Sequence, residues 1–182
     1  MQYRSFGRGG RQVSALGFGC MRLPIVDGDV NRIDEPEATR LLHYAIDHGV
    51  NYVDTAYTYH GHNSERLLGR ALKGGYREKV LLATKLPCWL VETAADFDRL
   101  FDEQRQKLDS ETIDLYLLHS LSADSWHKVR DLGALDWLSR LVAQGRVGQV
   151  GFSFHDAYPV FQEIVDSYPW DFCQIQYNYL DI

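Results

Sequence analysis

Six short apolar runs recur along the chain at intervals of about 30 residues, and this rhythm constrains the fold more than any other feature. They are ALGFGC (15–20), VNYVDT (50–55), EKVLLATKL (78–86), TIDLYLLHS (112–120), VGQVGFSF (147–154) and FCQIQY (172–177). Each is nearly continuous rather than alternating, as strands buried on both faces are. Helical patterns separate them, over 36–49, 63–74, 93–108, 126–144 and 158–167. Pro36 sits in the first turn of one, with Gly49 as its stop. Asn63 is a candidate N-cap of the next. A small hairpin is expected over residues 2–14. Strands alternating with helices read as βα units, and residues 1–182 as a single domain with no linker or low-complexity tract.

Both a doubly wound sheet and a (β/α)8 barrel fit this alternation. No GxGxxG follows a strand and no GxxxxGK[ST] occurs, so the nucleotide fingerprints of the open sheet are missing. The polar residues stand at the C-terminal ends of successive runs: Asp54, Lys85, His119 and Ser153, with Gln174 inside the sixth. A barrel brings such ends to one mouth, whereas an open sheet spreads them along an edge. The expected fold class is therefore α/β, a (β/α)8 barrel.

The net charge is −6, from 19 basic and 25 acidic residues, with no basic run; no nucleic-acid partner is expected. No stretch approaches ~18 apolar residues, so no membrane span is expected. The N-terminal MQYRSFGRGGRQ lacks the apolar segment of a signal peptide. Cys20, Cys88 and Cys173 are odd in number, far apart and form no CxxC pair. They read as reduced, buried thiols of a cytoplasmic protein.

Asp54, Tyr59, Lys85 and His119 together suit one chemistry. A free phenol ionises near pH ~10, too high for ready proton exchange at neutrality. A nearby ammonium stabilises the phenolate. A buried lysine needs a counter-ion in turn, which Asp54 can supply. A neutral histidine can orient a carbonyl oxygen that Tyr59 then protonates. The hydride must come from a cofactor, since no side chain supplies one. Plainer readings stand beside this one. Asp54 and Lys85 can be a structural ion pair, and His119 a satisfied core histidine. Tyr57 competes with Tyr59 as the functional phenol. His60 and His62 lie two apart in a glycine-containing loop with no third ligand nearby, so no metal is expected. His43 and His48 read as residues of a solvated helix face.

The sequence resembles the aldo-keto reductase family. LGFGCMRLP is similar to that family's first strand and loop, and NYVDTAYTYHGHNSERLLGRAL resembles its DTAxxY–xSExxLGxAL segment. VLLATKL resembles its lysine strand and IDLYLLHS its histidine strand. GRVGQVGFSFHD is similar to its GKxRxxGxSN segment, with Phe154 and His155 where the family commonly has Asn. CQIQYNYL resembles its QxEYN segment. By position the resemblance implies Tyr59 as general acid, Asp54 and Lys85 as its tuners and His119 as the group orienting the carbonyl. It implies Ser153 and Gln174 as ligands of a nicotinamide carboxamide, NADPH or NADH as cofactor, and a small-molecule carbonyl substrate.

GFSFHD and QIQYNYLD look most like bacterial and archaeal members with a C-terminal ferredoxin-like extension. That resemblance implies 4Fe-4S clusters only where such an extension exists beyond this chain. The family barrel has eight strands, and six are counted here. Two more units need roughly 60 residues, so the chain reads as truncated, or as one whose copies complete each other by self-association. Inactivity or instability of the isolated chain is the corresponding expectation. Two other functions use the same residues: a Schiff-base lyase with Lys85 as nucleophile, and a non-catalytic regulatory subunit that binds nucleotide and a protein partner.

Overall fold

The six apolar runs become six parallel strands in the computed structural model of the chain, which describes residues 1–7, 9–178 and 180. A two-stranded antiparallel hairpin comes first, β1 (Tyr3–Phe6) and β2 (Arg11–Ser14). Then follow β3 (Phe18–Gly19), α1 (Glu35–Asp47), β4 (Tyr52–Asp54), α2 (Ser64–Ala71), β5 (Leu81–Leu86) and α3 (Ala95–Leu108). The chain continues through β6 (Ile113–Leu121), α4 (Ala123–Asp131), α5 (Ala134–Ala143), β7 (Val147–Phe154), α6 (Tyr158–Ser167) and β8 (Phe172–Ile175). The sheet order is strictly sequential, β3-β4-β5-β6-β7-β8, and every pairing is parallel. A doubly wound sheet must reverse its strand order at a switch point. This one does not, so it is a partial (β/α)8 barrel, open between β3 and β8.

The period-2 alternation of each strand sorts the side chains into two layers. One face packs against the helices in the main core, built around Leu82, Leu86, Phe97, Phe101, Tyr116, Leu118, Trp126, Trp137 and Phe152. The other face lines the lumen. Its lower half is a small apolar cluster of Ala83, Leu115 and Leu117 with Phe6, Tyr52, Leu81 and Phe172 packed on it. Phe6 lies 5.0 Å from Phe172 and 6.0 Å from Tyr52, ring centre to ring centre. The hairpin therefore stoppers the N-terminal end of the lumen, and the polar strand ends stand at the other.

Several local expectations need correcting. The helical pattern over 126–144 is two helices, because Gly133 takes φ 89° and turns the chain between α4 and α5. Asn63 occupies the N-cap position of α2 without capping it; its amide donates to the Asn31 carbonyl instead. The side-chain cap that does form on α1 is Asp34, which accepts from Glu37 N–H at 3.2 Å. His43 is not on a solvated face. It stacks on Tyr76 at 3.7 Å and bonds the Ala71 carbonyl. Cys20 and Cys88 are fully buried, and burial pushes both thiols up, Cys88 to about 12. Cys173 is exposed, as is Ile175, because among the described residues no helix covers the outer face of β8.

The crossing of α2 and α3 depends on a missing side chain. A Cβ at Gly69 would stand 2.5 Å from the Lys107 carbonyl oxygen. Alanine favours helix over glycine by about 1 kcal/mol. Overpacking that forces backbone apart costs about 1–3 kcal/mol. Gly69→Ala is therefore expected to lower the denaturant midpoint, and a raised midpoint would show that the two helices part without cost.

Candidate active site

Residue alternation on β5 separates neighbours to opposite sides of the sheet. Thr84 points at the helices and Lys85 at the lumen. Lys85 is 2% exposed, and its ammonium is held three ways. It donates to Asp54 Oδ2 at 2.7 Å, to the Thr55 carbonyl at 2.8 Å and to the Tyr59 hydroxyl at 3.3 Å. Asp54 ends β4 one strand away, and Tyr59 hangs in the loop that follows it. The strand ends thus deliver a carboxylate and an ammonium to one loop hydroxyl.

His119, from β6, completes the group. Its ring meets Tyr59 edge-on, with centres 5.9 Å apart and planes at 80°. Burial, then the Lys85 charge and that of His155, push its pKa down to about 3, so the imidazole is neutral at physiological pH. Nδ1 is buried without a hydrogen-bond partner. Burial raises the Asp54 carboxyl above its usual range, against the pull of Lys85 and a weaker one from Gln174. Asp54 Oδ1 has no well-formed hydrogen bond.

Ser153 and Gln174 lie opposite each other across β7 and β8. Ser153 Oγ accepts from the Ser120 N–H at 2.7 Å, which leaves its own proton to donate. Gln174 Oε1 is a buried acceptor without a partner. One free donor and one free acceptor on adjacent strands at the lumen mouth fit a primary carboxamide, which needs both. No group of three or more His, Cys, Asp or Glu among the described residues could hold a metal ion, so nothing described here fits an iron–sulfur cluster.

The remaining loop residues sort themselves. Tyr57 turns away from the lumen and donates to Glu103 Oε2 at 2.6 Å, which leaves Tyr59 as the phenol at Lys85. His60 is buried; one ring nitrogen bonds the Val30 carbonyl at 2.7 Å and the other accepts from Leu23 N–H at 3.0 Å. It clips the loop after β3 to the loop after β4. His62 is exposed and bonds the Tyr57 carbonyl. Two participants have no sequence motif of their own. The Thr55 carbonyl contributes backbone, to which its side chain is no guide. Trp89 lies three residues past β5, 42% exposed, with its ring 5.1 Å from His119; its nearness to a strand end was the one available signal.

Two outcomes follow. Lys85→Met leaves Asp54 buried without its partner and should cost about 3–5 kcal/mol, most of it recovered in the double variant Asp54→Asn/Lys85→Met. Equal losses in single and double variants, read from urea unfolding, would contradict the ion-pair assignment. For His119 the folded value lies below the ordinary 6.5, so the unfolded chain binds more protons between 6.5 and about 3. Stability due to this group is present above 6.5 and is lost as pH falls through that window. His119→Phe should therefore flatten the pH dependence of the urea midpoint below 6.5. An unchanged slope would mean that the imidazole protonates in place.

The comparisons with known proteins point to one family. The model of the Aldo/keto reductase family matches residues 15–182. A soybean protein, "Probable aldo-keto reductase 1" from Glycine max, is 34% identical over 155 residues, covering 81% of this chain and 43% of its own length. An aldo-keto reductase from Bacillus halodurans, solved in its holo form, superposes with a TM-score of 0.81 at 28% identity, over 97% of this chain and 58% of that one. An aldo/keto reductase from Klebsiella pneumoniae, in complex with NADP and acetate, gives 0.67 at 25% identity, over 83% and 49%. The chain spans about half the length of these relatives. With a family match across nearly its whole length, the chain belongs to the aldo/keto reductase family.

Proposed function

We propose that the protein is an NAD(P)H-dependent oxidoreductase that reduces an aldehyde or ketone to the alcohol, with Tyr59 as general acid. The observation that carries this reading is the Lys85 ammonium, held between Asp54 at 2.7 Å and the Tyr59 hydroxyl at 3.3 Å. Tyr59 is half-buried, so its hydroxyl stays within reach of a substrate. Its proton passes to the carbonyl oxygen as negative charge develops there. Lys85 stands beside the phenolate oxygen that remains and stabilises its charge, and Asp54 keeps that ammonium compensated in a dry site. Neutral His119 offers an N–H to the same carbonyl oxygen and orients it. Ser153 and Gln174 would hold the carboxamide of a nicotinamide cofactor, which supplies the hydride when bound. An NADP-bound relative of similar fold supports that choice.

The Asp54 pair argues against the Schiff-base reading, which needs Lys85 as a free amine. Lys85 is instead engaged by that carboxylate at 2.7 Å. Complete retention of the four polar groups argues against a purely regulatory role. We place the reaction in the cytoplasm, where buried thiols such as Cys20 and Cys88 stay reduced. A second copy set against the open sheet edges would extend the lumen wall, so turnover should be followed across a range of chain concentrations.

With NADPH and a panel of small aldehydes, Tyr59→Phe is expected to lose roughly 10²–10⁴-fold in turnover, the usual worth of a positioned acid. Cofactor binding, followed by fluorescence titration, should be unchanged. Equal turnover in wild type and variant would remove Tyr59 from the reaction. Loss of cofactor binding in the variant would make it a binding residue instead.

A further inference from the structure

Behind β5, on the helix side of the sheet, lies a second buried polar cluster that the proposed reaction does not use. Glu65 of α2 is fully buried. Its Oε1 accepts from Thr84 Oγ1 at 2.7 Å and from Gln104 Nε2 at 2.8 Å. Gln104 of α3, also fully buried, donates to the Lys85 carbonyl at 3.0 Å. Its own Oε1 accepts from the Tyr116 hydroxyl at 2.6 Å. Glu65 Oε2 faces Lys107 Nζ at 3.5 Å, and Lys107 lies 3.6 Å from the centre of the Tyr57 ring. Ser64, beside Glu65, bonds Thr55 Oγ1 at 2.8 Å, and the Thr55 carbonyl is one of the three acceptors of Lys85.

A buried carboxylate is expensive, and well-packed apolar residues would hold two helices on a sheet at lower cost. The partners of this one share a direction. Thr84 precedes Lys85 on β5, Gln104 grips the Lys85 carbonyl, and Lys107 touches the loop that carries Tyr59. Neither Glu65 nor Gln104 bonds the lumen groups directly. Their reach stops at the backbone and the loop that aim those groups.

We propose that Glu65 and Gln104 are positioning residues for the Lys85 ammonium, acting through the sheet from its outer side. The cluster fixes the end of β5 and the 54–59 loop relative to each other, and so fixes the approach of Lys85 to Tyr59. Its effect on turnover rests on the reductase reading; the clamp itself does not.

The test reads the ammonium directly. In ¹⁵N-lysine-labelled protein the Lys85 ammonium resonance, assigned by its loss in Lys85→Met, should be visible because three acceptors slow its exchange. Gln104→Leu and Thr84→Val should broaden it beyond detection in protein that still melts cooperatively, and Thr84→Ser should restore it. Tyr116→Phe, which removes one hydroxyl, serves if the others fail to fold. Misplacement of a catalytic group by about 1 Å costs up to ~10²-fold. The turnover number should accordingly fall by that order in Gln104→Leu, with KM and the cofactor Kd unchanged. A persistent Lys85 resonance in folded Gln104→Leu, or none in wild type, overturns the proposal. A resonance that responds as described, in a protein without NADPH turnover at any chain concentration, sustains the clamp and counts against the reductase reading of this chain.

Discussion

The buried ion pair between Asp54 and Lys85 is the interaction on which the site depends. Taking both charges out of water costs several kcal/mol per ion, and the attraction between them repays this only with good geometry and further hydrogen bonds. Lys85 meets that condition with three acceptors. Asp54 meets it less fully, since burial still raises its carboxyl and one oxygen lacks a good partner. An apolar pair of similar size would serve stability as well or better. The charges make sense as a device for holding an ammonium beside a phenol in a dry place, where electrostatic effects are strongest.

The barrel supplies that place by simple bookkeeping of strand periodicity. Inward residues on β5 and β6 run from Ala83 and Leu115 at the stoppered end to Lys85 and His119 at the other. The same two-residue step carries Tyr52 to Asp54 and Phe172 to Gln174. An apolar floor and a polar rim are therefore consequences of one pattern repeated on adjacent strands. Outward residues follow the opposite phase and join the helices, which is how Thr84 comes to serve Glu65 while its neighbour serves the lumen.

Much of this was legible because strand ends are legible. Nearly continuous runs such as VLLATKL announce buried strands, and a charged or ionisable residue at or next to the end of a run marks the mouth. Asp54, Lys85 and His119 were readable for that reason, and Ser153 and Gln174 through the family resemblance. What could not be read depends on contacts between distant segments. Gln104 lies in the middle of a helical pattern and gives no sign that its amide ends on the Lys85 carbonyl. Gly133 looks like a tolerated glycine until its positive φ splits the helix. The choice between Tyr57 and Tyr59 needed Glu103, 46 residues away, to claim the first. Cys173 is apolar enough to bury, and only the uncovered face of β8 decides otherwise.

The central claim is that the groups gathered at these strand ends reduce a carbonyl with hydride from a nicotinamide. The most direct measurement is isotope transfer, with NADPH carrying deuterium at one or the other C4 position and an aldehyde as acceptor. The account predicts deuterium on the carbinol carbon of the product from one C4 isomer and not from the other. A carbinol C–H hydrogen drawn from solvent, or label arriving from both isomers alike, would contradict it.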